Sequence, residues 1–182
     1  MTNNIIRLHG DKINLCVFRT DPAAIELYAK WINDESINMW VGHNEICQSL
    51  NETKDWAENG CGPETVRFNI VTKDGDLIGN CDCGRRSGSS SNTIGLGILI
   101  GEASGRDKGY GTEAIKMLVK FCFKERNAHR VVLNVVANNT RAIQCYTNAG
   151  FKQNGVAHDE VYFDGKYHDL ISMEILRKDW KG

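Results

Sequence analysis

Arg106-Asp107-Lys108-Gly109-Tyr110-Gly111-Thr112 places two glycines and two cations between a strand-like run, Ile94 to Ile100, and a helix-like run, Glu113 to Lys124. A glycine-rich turn at a helix start leaves backbone N–H groups unpaired and pointing one way. Those groups and the helix dipole both favour negative charge, so the segment is a ready anion site. Gly109 and Gly111 let the chain bend and let a phosphate approach without a Cβ in the way. The chemistry indicated is the gripping of a phosphate-bearing ligand.

The elements that position this loop follow from periodicity and turn signals. Lys12 to Phe18 alternates and reads as a strand. Asp21-Pro22 fits an N-cap with proline at the first helical position, and the helix carries Ile25, Leu27, Tyr28, Trp31 and Ile32 on one face. Asp34 to Trp40 reads as a second helical piece. Ser49-Leu50-Asn51-Glu52 fits a capping box for a helix through Trp56 that stops near Asn59-Gly60. Thr65–Thr72 and Leu77–Cys83 read as a hairpin turning at Asp74-Gly75. Residues 84–92 are a polar loop. Strand Thr93–Ile100, helix Gly111–Arg126, strand Arg130–Val136 and helix Asn139–Ala149 follow. Two strands, Gly155–Phe163 and Lys166–Leu176, hinge at Asp164-Gly165. The order makes one parallel βαβ unit over 93–136, built around the phosphate loop.

Composition narrows the class. The chain has 182 residues, 41% hydrophobic and 25% charged, which suits one soluble domain, residues 1–182, with a full core. A net charge of −1 gives little support to binding bulk nucleic acid or an anionic membrane. No apolar stretch approaches a membrane span, and MTNNIIRLHG lacks a signal-peptide core. The seven cysteines are an odd number without C-x-x-C or zinc-like spacing, so no metal is expected. They read as reduced thiols of a cytoplasmic protein.

Three phosphate loops compete. A Walker A loop ends in Gly-Lys-[Ser/Thr], and residues 105–112 do not. A dinucleotide fingerprint would need Gly109-Tyr110-Gly111 followed by Ala114 in the last glycine place. That loop normally follows the first strand, whereas about four strands precede it here. The third reading fits better. Arg106-x-x-Gly109-x-Gly111 resembles the acetyl-CoA pyrophosphate loop of the GNAT acetyltransferases. Asn139, Ala142, Tyr146 and Gly150-Phe151 resemble that family's second signature, N-x-x-A-x-x-x-Y-x-x-x-G-F. The tail Tyr162 to Asp169 is similar to the Acetyltransf_3 branch, which includes ribosomal-protein-alanine and spermidine acetyltransferases.

The resemblance implies a mixed α+β GNAT fold. Its twisted sheet would have about seven mostly antiparallel strands, helices on both faces, and a parallel pair, 93–100 and 130–136, that splays to admit acetyl-CoA. It implies acetyl transfer to an amine, with acetyl-CoA as donor and no metal. The backbone of Ile98, Leu99 and Ile100 would hydrogen-bond the pantetheine amides, and an amide near Leu99 would polarise the thioester carbonyl. Residues Arg106, Asp107, Lys108, Gly109, Tyr110, Gly111 and Thr112 would hold the pyrophosphate. Asn134, Asn139, Arg141 and Ala142 would complete the coenzyme site. Tyr146, two helical turns after Asn139, would give a proton to the leaving thiolate. Gly95 and Gly97 suit a bulge that opens the splay.

The general base is open. Many relatives of this branch carry Glu where Gly95 stands; here water-mediated proton loss or an acid from another segment would serve, and the stand-ins Glu45, Glu160 and Asp169 each read first as surface or structural carboxylates. A His168–Asp169 pair is disfavoured because neighbours on a strand face opposite ways. Residues 34–64 carry seven carboxylates against Lys54 alone. They would form either an acidic wall attracting a polyamine, an aminoglycoside or a peptide N-terminus, or solvated helix faces. Trp31, Trp40 and Trp56 would line the acceptor pocket or the core. The missing acid at Gly95 leaves room for a non-catalytic acyl-CoA sensor. The family also implies a homodimer.

Overall fold

A computed structural model describes residues 4–41, 47–60, 64–86, 88 and 91–182. Its sheet has eight strands in the order β1-β2-β3-β4-β5-β6-β8-β7: β1 Ile6–His9, β2 Ile13–Val17, β3 Thr65–Thr72, β4 Leu77–Arg85, β5 Thr93–Ile100, β6 Arg130–Val136, β7 Lys152–Phe163 and β8 Lys166–Leu176. The strand beyond the expected seven is β1. It is a four-residue edge strand, mostly exposed, so it carries no buried alternation that would mark it in the sequence. Every neighbouring pair is antiparallel except β5 and β6.

Helices α1 Pro22–Ile32, α2 Glu35–Val41 and α3 Leu50–Asn59 precede β3; α4 Tyr110–Lys124 links β5 to β6, and α5 Thr140–Asn148 follows β6. Their ends are set locally. Asp21 accepts the Ala24 N–H with Pro22 at the first helical position. Ser49 and Glu52 complete a reciprocal capping box. Gly75, Asp164 and Gly165 have positive φ and turn the two hairpins. Two cores lie on opposite faces of the sheet. α4 packs Ala114, Ile115, Leu118 and Cys122 on one face, against Ile94, Val131 and Leu133. α1 packs Ile25, Tyr28 and Trp31 on the other, against Cys16, Val71 and Leu77.

The expected bulge in β5 is absent. β5 stays in unbroken register with β4 from Ile94↔Arg85 to Ile100↔Gly79. β6 likewise follows β8 from Arg130↔Leu176 to Val136↔Leu170. β5 and β6 pair with each other only at Thr93↔Arg130, Ile94↔Val131 and Gly95↔Val132. Each strand follows its outer antiparallel partner, and the two therefore part after Gly95. The splay needs no extra residue.

At the end of β5, Gly101 lies beneath Trp31, and a Cβ there would collide with the buried indole. The Trp31 Nε1–H donates to Glu102 at 2.9 Å, so the ring cannot swing away without leaving a polar group unpaired. Gly101→Ala is expected to lower stability by about 1–3 kcal/mol through overpacking. Urea denaturation checks this: the midpoint should fall with an unchanged slope.

Candidate functional site

The gap between β5 and β6 opens into a cleft of about 710 Å³, within the range of small-ligand sites. Ile98, Leu99 and Ile100 line one wall, and Asn134 faces them from β6. Beyond Gly95, β5 has lost its β6 partner, so alternate backbone N–H and C=O groups on that edge face the cleft. Asn134 is exposed in mid-sheet for the same reason, and its Oδ1 accepts the Ser172 hydroxyl at 2.9 Å.

The cleft floor is the start of α4. Gly109 is the N-cap with φ of 81°, a left-handed conformation, and it offers no side-chain cap. Glu113 makes the first return bond to the Gly109 carbonyl, so the amides of Tyr110, Gly111 and Thr112 are first-turn groups without an intrahelical acceptor. All three residues line the cleft with Gly109, Arg106 and Asp107. Arg106 is less free than its loop position suggests. One guanidinium nitrogen donates to the Gly101 carbonyl at 3.2 Å. Its Nε is buried without a partner among the described residues. Exposed Asp107, also in the left-handed region, lies 3.7 Å from Arg141. Arg141 thus offsets a carboxylate that would otherwise repel an anion.

Lys108 alone of the expected binding residues does not line the cleft. Its carbonyl instead accepts Lys12 Nζ at 3.2 Å. The β1–β2 turn that carries Lys12 is held by Glu113, whose carboxylate accepts the Lys12 N–H at 3.0 Å. Lys12 thus brings a cation to the anion loop from 96 positions away. Nothing local to Lys12 in the sequence signals this. Cys145 also faces the cleft; it accepts the Thr112 hydroxyl at 3.3 Å, and burial raises its thiol pKa.

The far wall is α5. Asn139 is its N-cap and accepts the Ala142 N–H at 3.1 Å; Asn139, Arg141, Ala142 and Tyr146 all reach the cleft. The Tyr146 ring packs near Phe151, and its hydroxyl has no hydrogen-bond partner among the described residues. Burial, and secondarily the neighbouring Cys145 thiolate, push its pKa well up. The phenol therefore holds its proton at neutral pH.

A second recess of about 650 Å³ meets the first at Trp40, Val41, Ile98, Asn134, Val135 and Tyr146. It extends past Gly97 to Glu160, Val161 and Tyr162 of β7. The register between β7 and β8 shifts between Ala157 and Val161, and Asp159 there has φ of 52°. Asp169 pins this bulge by accepting the Asp159 N–H at 3.0 Å and contacting His158 Nδ1 at 3.1 Å. The backbone bond, then His158, hold its carboxyl below the usual range. Asp169 is thus a clamp for the bulge, and it pairs with His158 across the hairpin. His168 meets Asn138 at 2.8 Å and stacks on Phe163.

The acidic stretch does not form a wall of the described cleft. Asp34 caps Ser36, Glu52 completes its capping box, Glu58 pairs with Lys54, and Glu64 meets Arg85 and Arg126. Glu45 lies outside the described residues. What α2 contributes is Ser36, Ile37, Trp40 and Val41. Of Trp31, Trp40 and Trp56, only Trp40 lines the recesses; Trp31 is core, and Trp56 packs under the Arg67 guanidinium.

The model of the acetyltransferase (GNAT) domain matches residues 14–152. A SPbeta prophage-derived uncharacterized N-acetyltransferase of Bacillus subtilis (strain 168) is 27% identical over 137 residues, 74% of this chain and 75% of that protein. An aminoglycoside N(6')-acetyltransferase type 1 of Klebsiella pneumoniae is 26% identical over 162 residues, 84% of this chain and 80% of that protein. In three dimensions the chain is similar to the spermidine N-acetyltransferase of Vibrio cholerae in complex with CoA and spermine. The TM-score is 0.82 at 19% identity, covering 93% of this chain and 98% of that one. With a splayed parallel pair, an uncapped helix start beneath it and the family model matched across most of its length, the chain belongs to the GNAT acetyltransferases.

Proposed function

We propose that residues 1–182 act as one domain that moves an acetyl group from acetyl-CoA to a primary amine. The observation that carries this reading is the meeting of two recesses at Tyr146, one floored by the anion loop and the other open toward β7. A two-substrate transfer needs a donor channel and an acceptor channel that share one point, and proximity there lowers the barrier.

The site supports the following roles. Amides of Tyr110, Gly111 and Thr112, with Arg106 and Lys12 nearby, hold the diphosphate. Backbone groups of Ile98, Leu99 and Ile100 take the pantetheine arm as a missing strand would. The amine nitrogen attacks the thioester carbon, the carbon–sulfur bond breaks, and the sulfur takes the Tyr146 proton. The attacking nitrogen releases a proton that restores the phenol. The acceptor is a cationic amine. The spermidine and aminoglycoside enzymes similar to this chain support that class. So does Glu160 on the second recess. A cytoplasmic location is part of this reading, supported by free thiols at all six described cysteines.

Thiol release from acetyl-CoA with a panel of polyamines, aminoglycosides and peptides tests the reading. Turnover with at least one amine is expected. Binding of acetyl-CoA with no turnover on any of them would instead indicate an acyl-CoA sensor, the alternative raised by the glycine at position 95. Tyr146→Phe should lower kcat about 100-fold, the usual scale of a lost general acid, while calorimetry shows an acetyl-CoA Kd within about twofold of wild type. Gly109→Ala places a Cβ in a left-handed residue and turns the free amides away from the anion. Its acetyl-CoA affinity should fall about tenfold, roughly 1.4 kcal/mol, in the same titration.

A further inference from the structure

Gly97 belongs to the wall of the second recess, yet the space beside its Cα is filled. A Cβ built there would lie 2.7 Å from Asp82 Oδ2. Asp82 is the cross-strand partner of Gly97 on β4, and its carboxylate leans over the glycine. Side chains two apart on a strand share a face. Leu99 packs with the α1 core, so Gly95, Gly97 and Asp82 lie on that same side of the sheet.

This carboxylate is half-buried and has no hydrogen bond or ion pair among the described residues. Its cross-strand neighbour on β3, Arg67, is engaged elsewhere. The guanidinium stacks 4.1 Å from the Trp56 ring and donates to the Trp56 and Gly60 carbonyls at 2.8 and 3.1 Å. An unpaired acid in such a place weakens the fold. Groups of this kind concentrate where chemistry needs them. Here the need is specific: an ammonium must lose a proton before it attacks, and β5 itself offers glycine at both 95 and 97.

Resting on the acetyltransferase reading, we infer that Asp82 is the proton acceptor for the incoming amine, reaching the reaction centre over Gly97 from the neighbouring strand. The N–H bond of the ammonium breaks, its proton passes to Asp82 Oδ2, and the freed lone pair attacks the thioester carbon. The proton later leaves Asp82 to solvent. Any side chain at position 97 would displace the carboxylate, so the glycine and the acid form one device.

Burial raises the Asp82 pKa, and the Arg67 charge opposes this. Cys81 and Cys83 flank Asp82 on its own strand, Arg86 lies beside Gly95, and Glu160 faces the recess from β7. A raised carboxyl pKa means that the folded state holds this proton more tightly than the unfolded state. Stability is therefore lost as pH rises from the unfolded value through the folded one, and at neutral pH the ionised group is a net penalty.

Asp82→Asn, with Glu160→Gln as the rival carboxylate, tests the inference with the best amine of the panel. Asp82→Asn should lower kcat/KM about 100-fold at pH 7 and leave the acetyl-CoA Kd within about twofold. The deficit should shrink as pH approaches the amine's own pKa, because free amine then arrives without help. The Tm at pH 7 should equal or exceed that of wild type. Retention of kcat/KM within about twofold of wild type, a loss that does not change with pH, or transfer of the kcat loss to Glu160→Gln would each overturn the assignment. A wild-type protein that binds acetyl-CoA but acetylates no amine would fail at the earlier step and remove both readings.

Discussion

The separation of β5 from β6 is enforced from outside the pair. β4 holds β5 through seven aligned residues and β8 holds β6 through seven, whereas the parallel pair itself has three. Antiparallel ladders are the stronger pairing per residue. Two strands bound to diverging neighbours must therefore part. The parting exposes a strand edge in the middle of the sheet, where unpaired backbone groups are otherwise rare. The cleft lies at this weakness.

Charge in the cleft is arranged by the same frame. α4 begins ten positions after Ile100 closes β5, and its first-turn residues line the cleft together with that strand end. Cations reach that point from three separate segments: Arg106 in the loop, Lys12 from the β1–β2 turn and Arg141 from α5. Glu113 anchors the turn that carries Lys12 while lying in the first turn of α4, where an acid is favoured by the helix dipole. Tyr146 completes the cleft from α5, with its proton retained by burial.

Two groups of carboxylates contrast. Glu52 closes a capping box, and Glu58 and Glu64 pair with cations; none of the three lines a described recess. Asp82 and Glu160 are different: one leans unpaired over a glycine of the recess wall, the other rides on a bulge pinned by Asp169. Density of acid along the chain is therefore a poor guide to which carboxylates stand beside the recesses.

Most elements, and several of their ends, were legible along the chain. Asp21-Pro22, the capping box at Ser49, the turns at Asp74-Gly75 and Asp164-Gly165, and the glycine loop into α4 all act through neighbouring residues. Asn139 and Tyr146, two helical turns apart, both line the cleft. Tertiary structure alone decided the rest: edge strand β1, the splay without a bulge, Lys12 at the anion loop, Trp40 rather than Trp31 or Trp56 in the recess, and Asp82 over Gly97. The physical reason is range. Caps, turns and periodicity are settled within a few bonds of the residues that cause them. Strand register and the crossing of distant loops are settled only when the whole sheet closes.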